Sequence, residues 1–225
     1  TCLQPGNGFR VTTDAVLLAA AVPARSGQRT MDVGCGSGAA ALCLAARVDG
    51  VHVTGLECQR DLAELARRNA LLSGLGARVD VVAGNLLDPP DGVGGAVFDH
   101  VFANPPFHHG SDLPSSSRRR REAHYADEVA LSDWVASALW AVKSKGRVSF
   151  IVRADRTDQV IRGLSDGGAG EVLLYPLWSY RSSPDPSWSS PDPYRSTARP
   201  YDGVIGAPRR RYRSTARPHR STAEA

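Results

Sequence analysis

Asn104-Pro105-Pro106-Phe107 ends a short apolar run of Phe98, Val101 and Phe102, and its residue types point to chemistry. Two prolines in a row stop a strand, because neither has an N–H to give to a ladder. Each also pushes the residue before it, here Asn104 and Pro105, into extended geometry. The result is a stiff loop presenting the Asn104 amide, the Pro105 carbonyl and the Phe107 ring. An amide oxygen and a free carbonyl accept both hydrogens of an exocyclic NH₂, while an aromatic ring stacks on the plane that bears it.

A second constellation lies upstream. Gly34, Gly36 and Gly38 sit between a short strand and an Ala- and Leu-rich helix, where backbone can approach a ligand at a helix N-terminus. Alone this is a weak signal, since the dinucleotide fingerprint places its third glycine one residue later. Asp32 before the glycines and Glu57 after them strengthen it. Glu57 ends the second strand, 19 residues beyond Gly38, where a carboxylate takes both hydroxyls of an adenosine ribose. Asn85, beyond the third strand, suits either an adenine amino group, with Leu86 packing beside it, or an ordinary turn. Arg118, Arg119, Arg120 and Arg121 lie in a Ser-rich loop after the prolines, placed to hold phosphates or simply to be solvated. His108-His109 lacks further ligands at useful spacing and reads as a pair of loop histidines, with no metal expected.

The elements that must position these residues alternate along the chain. Thr13-Asp14 opens a helix ended by Pro23, and residues 30–33, 51–56, 78–82 and 98–103 read as strands. Helices are predicted over residues 39–48, 60–73, 131–142 and 157–164, with further strands at 147–153 and 171–175. Strand–helix alternation argues for an α/β fold with a doubly wound, mostly parallel sheet.

Composition narrows the class further. The chain has 225 residues, 42% of them hydrophobic, enough for one domain and a tail. Residues 179–225 hold nine Arg against four acidic residues; the formal net charge of +4 therefore comes from the tail and leaves a near-neutral domain. Cys2, Cys35, Cys43 and Cys58 form no C-x-x-C pair, which favours free thiols in a reducing, cytoplasmic setting. No apolar run approaches the ~18–20 residues of a membrane span. Residue 1 is Thr, so a truncated N-terminus is expected.

The motifs D-V-G-C-G-S-G, Glu57, G-N-L-L and N-P-P-F occur in the order found in class I S-adenosylmethionine-dependent methyltransferases. N-P-P-F resembles the motif of those that methylate amino groups conjugated to a π-system. The segment F-R-V-T-T-D-A-V-L-L at residues 9–18 is similar to the entry segment of the bacterial tRNA(Val) adenine-N6 methyltransferase family. The resemblance covers residues 4–178 and implies a Rossmann-like fold, S-adenosyl-L-methionine as cofactor and an adenine in RNA, with tRNA as the partner. It also implies that Thr13 and Asp14 lie near the methionine end of the donor. Asn85 departs from the more usual Asp of the family. A protein glutamine amide or a DNA adenine remains an alternative acceptor, and donor or RNA binding without catalysis a further one.

Residues 1–178 are thus expected to form the methyltransferase domain. Residues 179–225 are rich in Ser, Pro and Arg: SSPDP at 182–186 recurs at 189–193, and YRSTARP at 194–200 recurs at 212–218. Such repeats cannot bury a core, and the tail is expected to be disordered. Its one β-like run is Gly203-Val204-Ile205. The fold that the resemblance implies completes its sheet with an antiparallel strand in this region. The tail is read as an aberrant ending and the sheet as lacking that last strand, with a weakened edge.

Overall fold

The computed structural model describes residues 2–6, 11–106, 129–178 and 200–208. Seven strands form one sheet: β1 (Arg29–Val33), β2 (His52–Glu57), β3 (Val79–Ala83), β4 (Phe98–Ala103), β5 (Val142–Val152), β6 (Leu173–Trp178) and β7 (Pro200–Pro208). The helices are α1 (Thr13–Ala21), α2 (Ala39–Arg47), α3 (Arg60–Leu72), α4 (Leu131–Ala141) and α5 (Thr157–Asp166). Strand order is β3-β2-β1-β4-β5-β7-β6, with β1 to β5 parallel and β7 antiparallel to both neighbours.

The central strand β4 is an apolar run because both of its faces are covered. Phe102 packs with Ala15, Leu18 and Ala19 of α1, the alanines of α2 and Ala63, Ala66 and Ala70 of α3. Phe98, Val101 and Ala103 pack on the other side with Leu131, Trp134, Val135 and Leu139 of α4 and Val160 and Leu164 of α5. Phe98, Phe102 and Phe150 are fully buried, each contributing roughly 1.5–3 kcal/mol relative to exposure.

Helix ends are tied down by arginines from neighbouring elements. Arg47 donates to the Ala19 and Val22 carbonyls at the end of α1, and Arg78 to those of Ala45 and Val48 at the end of α2. Cations suit these positions, where the last carbonyls of a helix lack partners.

Two sequence expectations change. The sheet does not lack its antiparallel strand: Pro200–Pro208 fills that place, with Ile205 opposite Phe150 on one side and Leu174 on the other. The Gly203-Val204-Ile205 run is its centre, so this part of the expected tail belongs to the sheet and closes the gap between β5 and β6. The second change is at β5, which follows α4 directly at Val142. Its register on β4 jumps from Phe98↔Val142 to His100↔Arg147, and the intervening Lys145 has φ 66°. Lys143 reaches Asp99 at 2.9 Å across this irregularity. Among the described residues, no helix is long and apolar enough to cross a membrane.

Candidate functional site

Asp32, Glu57, Asn85 and Asn104 all fall at or just beyond the C-terminal ends of parallel strands. β1 lies between β2 and β4, so the chain reverses its winding direction there. In open α/β sheets that switch point leaves a crevice for ligands.

The glycine turn after β1 is built by its neighbours. Gly34 and Cys35 donate to the Leu56 carbonyl at 2.8 and 3.0 Å, which ties the turn to β2. Gly36 donates to Glu57 Oε2 at 2.8 Å, while Glu57 Oε1 accepts the Gln59 amide at 2.8 Å. Gly34, Gly36 and Gly38 all have positive φ, at 69°, 56° and 88°. Their surroundings differ. A methyl on Gly34 would lie 2.4 Å from the Trp134 ring, and one on Gly38 would lie 3.2 Å from Ala66 Cβ. At Gly36 it would meet nothing within 4 Å. Gly34 and Gly38 therefore serve packing, and Gly36 offers the open side of the loop, where a ligand can approach backbone closely.

Asp32 is 2% exposed and its Oδ2 accepts the Ala41 amide at 3.1 Å, so it satisfies an amide in the first turn of α2. Burial pushes its carboxyl up to about 8, against the Ala41 amide and with the help of nearby Glu57. Glu57 is also buried.

On the acceptor side, Asn104 Oδ1 is buried and, among the described residues, accepts no hydrogen bond. Nearly all buried polar atoms are paired, and an unpaired one costs about 1–3 kcal/mol. Pro105 is buried beside it and Pro106 is half-buried. Phe107, the histidine pair and Arg118 to Arg121 lie outside the described residues. His100, on the same strand, is buried with Nε2 3.0 Å from Ser149 Oγ. Burial, assisted by Arg147, lowers its pKa to about 3, so it stays neutral and serves packing.

Other expected residues have more mixed placements. Asp14 is buried and accepts the Thr12 hydroxyl at 2.7 Å, whereas Thr13 is exposed. Asn85 Oδ1 accepts the Leu87 amide at 3.0 Å, the geometry of a turn asparagine. Leu86 packs at the edge of the core that contains Leu56 and Met31. Cys35 is buried with its thiol pushed well above the usual range by burial and by Asp32 and Glu57, so it stays protonated. Among the described residues, no group of three or more His, Cys, Asp or Glu could hold a metal.

Two residues beneath the glycine turn were not singled out as site residues. Trp134 supports Gly34, and only the tertiary packing of α4 reveals it. Asn69 had a visible signal: an amide on the apolar stripe of α3, where it is 0% exposed.

Residues 10–155 match the family model described as methyltransferase small domain. A tRNA1(Val) (adenine(37)-N6)-methyltransferase of Porphyromonas gingivalis is 35% identical over 159 residues, covering 68% of this chain and 62% of the relative. The chain thus spans about three fifths of the length of the curated relatives it matches first. Among solved structures, one described as a predicted O-methyltransferase from Agrobacterium tumefaciens superposes with a TM-score of 0.63 at 24% identity, covering 87% of this chain and 80% of that one. A SAM-dependent O-methyltransferase from Thermotoga maritima gives a TM-score of 0.61 at 18% identity, covering 92% and 69%. Both carry the fold alone.

Proposed function

We propose that this chain, which belongs to the methyltransferase small-domain family, methylates the exocyclic N6 amine of an adenine in RNA, with tRNA as substrate and S-adenosyl-L-methionine as donor. The observation that carries this reading is Asn104 Oδ1, a buried acceptor without a donor among the described residues, just past the end of β4, which pairs with the strand that leads into the glycine turn. The names of the curated relatives support the choice of tRNA adenine.

The residues fit the donor. Gly36 leaves room for close approach, and beside it Glu57 is a buried strand-end carboxylate suited to ribose hydroxyls. When bound, the donor supplies an electrophilic methyl on a sulfonium.

The protein's own work is on the nitrogen. The N6 lone pair of adenine is delocalised into the ring and is a poor nucleophile. Asn104 Oδ1 and the Pro105 carbonyl accept its two N–H bonds and favour a more tetrahedral nitrogen with its lone pair free. Positive charge grows on that nitrogen during transfer, so fixed acceptors help the transition state more than the ground state. The diproline holds both acceptors in place, and such positioning supplies much of the remaining rate. Phe107 is assigned to hold the base plane and Arg118 to Arg121 the flanking phosphates; Thr13 and Asp14 are assigned to the methionine end of the donor. A base inside RNA must be splayed from its stack to reach this loop. The setting that follows is cytoplasmic.

Incubation with methyl-labelled donor tests the reading. Label is expected in tRNA; label entering only a protein acceptor or only DNA would overturn the RNA assignment.

A further inference from the structure

Asn69 lies on the buried side of α3, away from the acceptor loop, with both ends of its amide hydrogen-bonded. Its Oδ1 accepts the Leu3 amide at 2.7 Å. Its Nδ2 donates to the Leu3 carbonyl and to the Ser37 carbonyl, each at 2.9 Å. Ser37 belongs to the glycine turn between Gly36 and Gly38. Leu3 belongs to the chain that leads into α1, and Gln4 next to it accepts the Val11 amide at 3.0 Å, closing this segment on itself just before Asp14. One side chain therefore holds the N-terminal segment against the glycine turn.

The residue type is specific to that task. Two donors and one acceptor on a short stem are needed at once, and asparagine supplies them. Aspartate has the same size but loses both donors. Leucine or alanine would leave the buried Ser37 carbonyl without its partner.

We infer that Asn69 is a positioning residue that couples docking of residues 2–6 to binding of the methyl donor at Gly34–Gly38. This rests on the donor reading given above. A turn held by the donor fixes the Ser37 carbonyl, which fixes the Asn69 amide, which favours the docked Leu3. Because coupling is reciprocal, the factor by which the donor favours the docked segment equals the factor by which the docked segment favours the donor.

The experiment uses the full chain and S-adenosylhomocysteine, with calorimetric affinity and hydrogen exchange at individual amides. In the wild type, the ligand is expected to slow exchange at the Leu3 amide. In Asn69→Asp, affinity is expected to fall by ~10-fold, within the usual range of such couplings, and the Leu3 response to be lost. Leu3→Pro removes the donor to Asn69 Oδ1 from a segment outside the core. It should weaken affinity similarly while lowering the melting temperature of the ligand-free chain by no more than several degrees, the effect of one unpaired buried oxygen. Wild-type affinity in both variants, or a Leu3 amide indifferent to ligand in a wild type that binds it, would overturn the coupling. A wild type that fails to bind S-adenosylhomocysteine at all would overturn the donor reading itself, and the coupling with it.

Discussion

At the scale of single residues, two groups carry the account. Asn104 has a buried carbonyl oxygen to which no described residue donates, an arrangement that favours an arriving N–H. Asn104→Ala is expected to lower kcat/KM for tRNA by ~10²–10³, the usual loss when one preorganised polar group is removed from a transition state. Affinity for S-adenosylhomocysteine should stay within about twofold, since none of the donor contacts assigned above involves this side chain. Steady-state kinetics with calorimetry separates the two.

Asp32 makes a prediction about pH. Its carboxyl, pushed up to about 8 by burial with Glu57 adding to the shift, keeps its proton in the folded chain after the unfolded chain has lost it. The folded state therefore binds the extra proton, and this contribution to stability is fully present below the ordinary value of 3.8. It is lost progressively as pH rises towards 8. Asn in its place still accepts the Ala41 amide but does not titrate. The difference in melting temperature between Asp32→Asn and wild type should thus move in favour of the variant from pH 4 to 8. A difference independent of pH would refute the assignment.

At the scale of elements, the glycine turn separates packing from binding. Gly34→Ala must accept both a left-handed φ, at about 1–2 kcal/mol, and a collision with Trp134, which adds about 1–3 kcal/mol. Gly36→Ala meets only the backbone term, because its methyl points into open space. Thermal melts should show Gly34→Ala as clearly the less stable. Calorimetry should show that Gly36→Ala binds donor poorly despite a nearly intact fold; unimpaired binding would count against an open side that faces the ligand.

The elements also show what could be read from the chain. Strand and helix positions through β4 were legible because apolar periodicity and punctuation by Gly and Pro agree there. The placement of Glu57 and Asn104 at strand ends was legible, because an apolar run that stops at a carboxylate or at a diproline marks where a strand ends. Trp134 was not, since only the close approach of α4 to Gly34 gives it meaning. Asn85 was legible as a residue of interest but divided between two readings, and its oxygen holds the Leu87 amide. On α3 the fully buried stripe is Ala63, Ala66, Asn69 and Ala70, while Leu62 and Leu65 are half-buried. Small side chains let the helix sit close to the glycine turn.

At the scale of the whole molecule, completion of the sheet is the main correction to the sequence reading. Low complexity around Gly203-Val204-Ile205 suggested a chain unable to pair, yet a strand that pairs on both sides needs backbone more than composition. Among the described strands β6 pairs only with β7, so removing β7 detaches β6 and exposes β5 as an edge. Deleting residues 179–225 is expected to lower the melting temperature by ~10 °C, equivalent to about 3–5 kcal/mol in a chain of this size. Deleting only residues 209–225 should leave it unchanged. Equal melting of both truncations would remove β7 from the account.

The central claim is that the chain places an acceptor-rich loop beside a methyl-donor crevice in order to methylate an adenine amine. Mass spectrometry of the nucleosides of tRNA after incubation with S-adenosylmethionine tests it most directly, with wild type and Asn104→Ala in parallel. The wild type is expected to yield N6-methyladenosine and the variant little. Donor binding by the wild type with no new methylated adenosine, or equal product from the variant, would contradict it.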